Sequence, residues 1–427
     1  MFKKTKLALL AISFTFTGML APAAFANDYA AAAAEVGLSD EGLASLKSHI
    51  NGYVENGRLV GATTLVARDG KIAHFETYGQ INKEAGTKMS QDAVFRIYSM
   101  TKPITGIALM MLYEEGRFDL DDPVSKYLPS FANQRVFSGV NEDGSLKTVP
   151  AERQSTIRDL LTHTSGLTYG VFGNTPVDQL YGKAGVFDPK LTLADQTEKL
   201  GKLPLLYQPG AAWVYSLSVD VQGRLIEVLS GKSLGEFFQD RIFAPLGMED
   251  TGFSVRPDQL GRFSEIYAPE KDKGLVAYRG DFFGDFTVKP NSESGGGGLV
   301  STTLDYWKFA QMVANGGELN GVRLIRAETI ELMRRDHLPD NLKGIAGGTQ
   351  GLGFGLGFAV VQDGEKQGGH ANVGEYFWGG MANTIFWIDP TSDVVAIFMT
   401  NILPSGIYPL RNELRDKING AVRGNSD

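Results

Sequence analysis

Leu43, Leu46, Ile50 and Tyr53 recur at helical spacing, so residues 40–54 read as an amphipathic helix. Two strand-like runs follow, residues 61–67 and 71–78, and Asp69-Gly70 between them is a strong hairpin signal. Residues 94–98 form a short apolar lead-in. After Pro103, apolar residues at Ile104, Ile107, Ala108, Met111 and Leu112 return to helical spacing, and Gly116 ends that helix. Pro103 fits a first helical turn, where its missing N–H is not needed.

From about Arg117 to Pro290 the pattern changes. Residues 156–161, 192–200, 218–229 and 233–243 carry helical patterns, separated by long Gly/Pro-rich loops. Beyond Gly295-Gly296-Gly297-Gly298, the one low-complexity segment, helical periodicity resumes over residues 303–313 and 327–334. Strand patterns then dominate, over residues 355–361, 377–388 and 394–400, and residues 389–393 make a turn between the last two. Residues 410–422 close as an amphipathic helix. The expectation is an α/β fold of the α+β kind. Strands from both chain ends form one antiparallel sheet flanked by terminal helices, with a mainly helical lobe inserted. In residue terms, 27–116 and 291–427 make a discontinuous α/β domain and 117–290 the insertion.

The chain has 427 residues, 43% hydrophobic and 21% charged, an ordinary globular balance. Its net charge of −8 argues against nucleic acid as a partner. No apolar stretch long enough to span a membrane occurs beyond the N-terminus. That terminus reads as a signal peptide. Lys3, Lys4 and Lys6 precede an apolar run from Leu7 to Leu20, and Ala24-Phe25-Ala26 is a cleavage site before Asn27. The expectation is therefore an exported protein, periplasmic or secreted. With no cysteine, thiolate chemistry and thiolate metal sites are excluded.

The lead chemical candidate is Ser99-Met100-Thr101-Lys102 at the start of an apolar helix. Residues three apart share a helix face, and the positive end of the helix dipole lies here. Serine is a poor nucleophile without a neighbouring base, and Lys102 is placed to be that base. The tetrapeptide alone is weak, since an N-cap serine and an exposed lysine look the same. It is the only S-x-x-K in the chain, however, and it sits where a strand-like run meets a helix.

Other signals are weaker. Gly231-Lys232-Ser233-Leu234-Gly235 matches a nucleophile-elbow pattern, but a helix rather than a strand precedes it, and Ser233 with Glu236 reads as a capping box. None of the five histidines has metal-binding spacing, and His163, before a turn, reads as a side chain fixing loop backbone. Tyr215, in Trp213-Val214-Tyr215-Ser216-Leu217, is either an aromatic anchor or a proton relay between Ser99 and a leaving group. Trp378-Gly379-Gly380 sits in a C-terminal strand, where paired glycines mark close approach of a ligand or backbone.

Together these elements resemble the serine hydrolases of the penicillin-recognising fold, a group with class C β-lactamases, D-Ala-D-Ala peptidases and family VIII carboxylesterases. The resemblance spans the mature chain. It rests on Ser99-Met100-Thr101-Lys102, the stretch from Thr156 to Leu167, the Tyr215 motif and the Trp378 motif. It implies Ser99 as acylated nucleophile and Lys102 with Tyr215 as the proton-transfer pair. It also implies an oxyanion hole from the backbone N–H groups of Ser99 and Met381, and neither metal nor organic cofactor. Class C enzymes usually carry Asn where Leu217 stands, and a lysine motif where Trp378-Gly379-Gly380 stands. Replacing both polar anchors disfavours a charged, amide-rich substrate. Tyr-Ser-Leu and Trp-Gly-Gly instead resemble family VIII carboxylesterases and related acyltransferases. The expected function is a serine carboxylesterase for small-molecule esters with short to medium acyl chains. Leu217, Trp378, Gly379 and Gly380 are expected to line the substrate. β-Lactamase, D-amino-acid peptidase, acyltransferase and non-catalytic cell-wall-binding roles stay open, and the sequence does not give an oligomeric state.

Overall fold

The computed structural model of the protein describes residues 29–280, 283–345 and 349–423. The segment read as a signal peptide, 1–26, lies outside the described residues. The spine is an eight-stranded antiparallel sheet. Its strands are β1 (Gly61–Arg68), β2 (Lys71–Asn82), β3 (Thr87–Lys88), β4 (Leu352–Phe354), β5 (Ala359–Val361), β6 (Tyr376–Gly379), β7 (Ile385–Asp389) and β8 (Val394–Thr400). The spatial order is β4-β5-β6-β7-β8-β1-β2-β3. β8 pairs with β1, from Ala62 opposite Thr400 to Arg68 opposite Val394, so the two ends of the chain meet in mid-sheet. The β1–β2 hairpin turns at Asp69 and Gly70, both with positive φ, which is what an Asp-Gly turn supplies.

The central strands are buried on both faces, and alternation decides which core each side chain joins. Leu65 and Ala67 of β1 and Val395, Ile397 and Met399 of β8 face the larger core. Ala62, Val66, Ala396 and Phe398 face the other. On that second face lie the terminal helices α1 (Asp40–Glu55) and α5 (Leu410–Arg423), joined through Leu43, Leu46 and Ile50 against Leu414 and Ile418. They cross closely at Gly42, where a Cβ would stand 2.4 Å from the Ala421 Cα. The larger core packs α2 (Thr101–Glu114) and α4 (Thr303–Ala314) beneath the sheet, and continues without a break into α3 (Ser218–Ser230) through Val221 and Leu225. This is the antiparallel sheet with flanking helices that the sequence implied.

Two strand expectations need correction. The run 355–361 is not one strand. Gly355 and Gly357, the latter at φ +104°, break it, and residues 352–361 form the β4–β5 hairpin instead. The run 377–388 is likewise split into β6 and β7 by a turn holding Gly380 and Asn383, whose φ is +63°. Residues 117–290 carry helices such as Ile157–Leu161, Leu193–Lys202 and α3, and also two hairpins, Arg135–Val140 with Leu146–Pro150 and Tyr267–Glu270 with Gly274–Ala277. The second hairpin lies against the main sheet, where the Tyr267 N–H donates to the Asn401 carbonyl at 2.8 Å.

Candidate active site

Ser99 is delivered by local structure. The short strand Phe95–Arg96 pairs with Val300–Ser301, and the chain then makes a 3-10 turn, Tyr98–Met100, that runs into α2. Tyr98 has φ +43°, which costs an aromatic residue strain and needs a surrounding that holds it. Its fully buried ring packs against Phe283 and Phe286, with ring centres 5.8 and 6.0 Å away. The next residue, Ser99, is left partly open to the cleft.

Lys102, in the first turn of α2, is 2% exposed. Its Nζ donates to the Ser99 Oγ at 3.1 Å and to the Gly296 carbonyl at 2.5 Å. The Tyr215 hydroxyl, from the segment entering α3, lies 2.6 Å from the Ser99 Oγ. The same Nζ stands 4.5 Å from the centre of the Tyr215 ring. The structure thus brings Ser99, Lys102 and Tyr215 into one hydrogen-bonded cluster. A serine oxygen contacted by a protonatable nitrogen and a phenol has the parts for nucleophilic acyl transfer without histidine.

Sequence reasoning missed the buried support behind this cluster. Each glycine of the Gly295–Gly298 strap is needed for close approach. At Gly296 a Cβ would stand 2.7 Å from the Asp220 Oδ2, and at Gly295 it would stand 2.8 Å from the Val219 carbonyl. Asp220, on α3, accepts from the Ser294 hydroxyl at 2.5 Å and from the Gly296 N–H at 3.3 Å. Its second oxygen is buried without a hydrogen-bond partner among the described residues. Burial pushes the Asp220 carboxyl above the usual range, opposed by the Ser294 hydroxyl and the Lys102 charge. The local signal available was the run of four glycines itself, which marks close backbone approach.

His163 is fully enclosed, and its Nδ1 meets the Ser216 Oγ at 3.1 Å. Burial, then the Lys102 charge, hold its pKa well below that of a free imidazole, so it is neutral. It ties a loop at φ +58° to the Tyr215 segment and does not touch Ser99 in any hydrogen bond among the described residues. Ser233 is a helix cap: its side chain accepts from the Glu236 N–H while Glu236 accepts from the Ser233 N–H. It takes no part in the site.

Aromatic rings wall the cleft. Tyr215 lies between Tyr169, stacked at 5.5 Å, and Trp378, tilted at 5.6 Å, with Trp213 and the exposed Phe172 at 6.2 and 5.9 Å. Trp378 is partly exposed and meets Phe354 edge-on. Gly379 and Gly380 serve packing. A Cβ on Gly379 would strike the Arg411 guanidinium at 2.6 Å, and one on Gly380 would lie 2.2 Å from the Thr384 Oγ1 and 2.5 Å from the Ile97 carbonyl. That second approach sets Gly380 and Met381 beside the turn that carries Ser99. Leu217 is placed differently from the expectation. It is 1% exposed and packs in the larger core, so it offers no apolar surface to an incoming substrate. No group of side chains suited to a metal ion occurs among the described residues. Nor does any described helix have the length and apolarity to cross a membrane.

A sheet covered by helices on both faces, with a serine, lysine and tyrosine meeting beside the end of β6, defines a serine hydrolase of the penicillin-recognising type. The chain matches the model of the Beta-lactamase family over residues 46–419, and it belongs to that family. It is 35% identical to Protein Rv1367c of Mycobacterium tuberculosis over 84% of this chain and 90% of that protein. It is 31% identical to Esterase EstB of Burkholderia gladioli, over 84% and 91% respectively. Among solved structures, EstCE1, described as a hydrolase with promiscuous acyltransferase activity, superposes with a TM-score of 0.74. That match has 27% identity and covers 89% of this chain and 99% of EstCE1. The resemblance read from the motifs is borne out at the level of the family and its fold.

Proposed function

We propose that the protein is a serine carboxylesterase acting on esters with short to medium acyl chains. The observation that carries this is the Ser99 Oγ held between the Lys102 Nζ and the Tyr215 hydroxyl inside an aromatic cleft. In the proposed reaction Ser99 gives its proton to the Tyr215/Lys102 pair as its oxygen bonds to the ester carbonyl carbon. The carbonyl oxygen becomes an oxyanion, which accepts hydrogen bonds from the backbone N–H groups of Ser99 and Met381. Collapse breaks the bond to the alcohol oxygen, which takes the proton back from the pair and leaves. Water then adds to the acyl-enzyme, deprotonated by the same pair, and releases the acid and free Ser99.

The ester reading is supported by the similarity to Esterase EstB and by the wall chemistry. Trp378, Trp213 and Phe172 present ring surface to the cleft, and no lysine stands at the Trp378 position to pair a substrate carboxylate. Transfer to an alcohol in place of water is the second reading, favoured by the likeness to EstCE1. Incubation with p-nitrophenyl butyrate and added butanol separates the two. Butyrate as the main product supports hydrolysis, and butyl butyrate as the main product supports transfer. Failure of an activated phosphonate to label Ser99 contradicts both.

Export, with cleavage near Ala26/Asn27, is part of the proposal and rests on the pattern of residues 1–26. The N-terminal sequence of the protein recovered outside the cytoplasm tests it. Asn27 as first residue supports export, and an intact N-terminus contradicts it.

A further inference from the structure

Arg411 stands in the first turn of α5, on the far side of Gly379 from the cleft. Its guanidinium fills the space that a Cβ on Gly379 would occupy, 2.6 to 2.9 Å from that position. The Nη2 donates to the Gly380 carbonyl at 2.8 Å and to the Thr384 carbonyl at 3.1 Å. The Thr384 carbonyl also accepts the Gly380 N–H at 2.8 Å, so the turn between β6 and β7 is clamped from both sides. Among the described residues Arg411 has no carboxylate partner. Its Nε is shielded from solvent without a hydrogen-bond partner. The charge is therefore aimed at two peptide carbonyls.

The Gly380 carbonyl belongs to the same peptide group as the Met381 N–H. A peptide group is planar, and in the trans form its C=O and N–H point in opposite directions. Among the described residues the only cis bond is Leu403–Pro404. Fixing the Gly380 oxygen toward the terminal helix therefore fixes the Met381 N–H in the opposite direction. That N–H has no intramolecular acceptor among the described residues. A cation on the carbonyl also polarises the peptide, which strengthens its N–H as a donor.

We propose that Arg411 is a positioning residue of the oxyanion hole, holding and polarising the Gly380–Met381 peptide so that its N–H meets the developing oxyanion. The proposal rests on the reading of Met381 as an oxyanion donor. It gives the Trp378-Gly379-Gly380 motif a physical reason: Gly379 admits the guanidinium, and Gly380 lets the peptide sit against the Ile97 carbonyl. Burial lowers the Arg411 pKa to about 10, with Arg415 adding to the effect and Tyr215 opposing it. The guanidinium thus stays charged at neutral pH and lies within electrostatic reach of the catalytic tyrosine.

The test compares wild type, Arg411→Met and Arg411→Lys on p-nitrophenyl butyrate and on its thionoester, whose sulfur is a poor acceptor for an oxyanion hole. Outright loss of an oxyanion donor costs roughly 10²–10³ in kcat, so misplacing one is expected to cost Arg411→Met roughly 10- to 100-fold with KM within about threefold. The wild-type preference for ester over thionoester should shrink in the same variant. Arg411→Lys, which keeps the charge and N–H donors but not the planar guanidinium, should fall between, and it carries the test if Arg411→Met does not fold. A variant with wild-type kcat overturns the proposal. So does a variant with lowered kcat but an unchanged ester-to-thionoester ratio, which marks a structural role only. If wild type itself shows no preference for the ester, the oxyanion reading of Met381 fails before Arg411 is considered.

Discussion

The Lys102 Nζ is bound to the carbonyl of Gly296 at 2.5 Å, so the amine beside Ser99 is aimed by a backbone strap almost two hundred positions away. The strap is held by Asp220 through the Gly296 N–H and the Ser294 hydroxyl. A methyl at position 296 meets both the Asp220 Oδ2 and, at 3.3 Å, the Tyr169 hydroxyl. Gly296→Ala is therefore expected to displace the carbonyl and lower kcat on p-nitrophenyl butyrate by about tenfold or more, with circular dichroism unchanged. Wild-type kcat in a folded Gly296→Ala protein removes the strap from the account.

Tyr215 has two duties that one substitution separates. Its ring packs among Tyr169, Trp213 and Trp378, and its hydroxyl meets Ser99. Tyr215→Phe keeps the ring and removes the oxygen. Loss of a proton-transfer group predicts a fall in kcat of roughly 10²–10⁴. The packing predicts a melting temperature within a few degrees of wild type. Steady-state kinetics and thermal melts of the same preparation check both, and an active Tyr215→Phe enzyme leaves the proton route to Lys102 alone.

Trp378 touches Tyr215 and Phe354 with its ring and is partly exposed, as a wall of an acyl or alcohol pocket should be. Its truncation removes apolar contact that is the same in ground and transition states. Trp378→Ala is expected to raise KM for p-nitrophenyl octanoate by about tenfold, with a smaller change for the acetate and kcat little altered. Equal effects on all chain lengths contradict a wall role.

Away from the site, His74 of β2 is buried, with its Nε2 2.6 Å from the Thr64 hydroxyl. Burial lowers its pKa from 6.5 to about 4, and the nearby Glu76 opposes the shift. The unfolded chain therefore binds a proton that the folded one refuses between pH 6.5 and 4. The contribution is fully present above pH 6.5 and is lost as pH falls toward 4, amounting to about 3 kcal/mol. Urea unfolding of wild type and His74→Gln at pH 7 and pH 4.5 checks the sign. The wild type should lose more stability than the variant on acidification.

What the sequence made legible was local. Ser99 and Lys102 are three residues apart on one turn, so their meeting needed only a helix start. Asp69-Gly70, the Ser233 capping box and the terminal helices were likewise set by neighbours in the chain. Tyr215 needed a resemblance to be placed, because nothing near it in sequence points to Ser99. Asp220, Gly296 and Arg411 act through backbone groups that come from elsewhere in the fold, and a carbonyl oxygen leaves no mark in a sequence. Leu217 was misplaced for the same reason: its position in the motif does not reveal that its side chain turns into the core. The split of residues 377–388 into two strands was signalled by Gly380 and Asn383, but apolar residues on both sides masked the turn.

The central claim is that Ser99 performs ester cleavage in a cleft unsuited to β-lactams. Initial rates on p-nitrophenyl acetate, butyrate and octanoate, set beside nitrocefin, for wild type and Ser99→Ala, test it most directly. The account predicts fast ester cleavage by wild type, little nitrocefin turnover, and loss of ester cleavage in Ser99→Ala. Dominant nitrocefin turnover, or ester cleavage that survives in a folded Ser99→Ala protein, contradicts it.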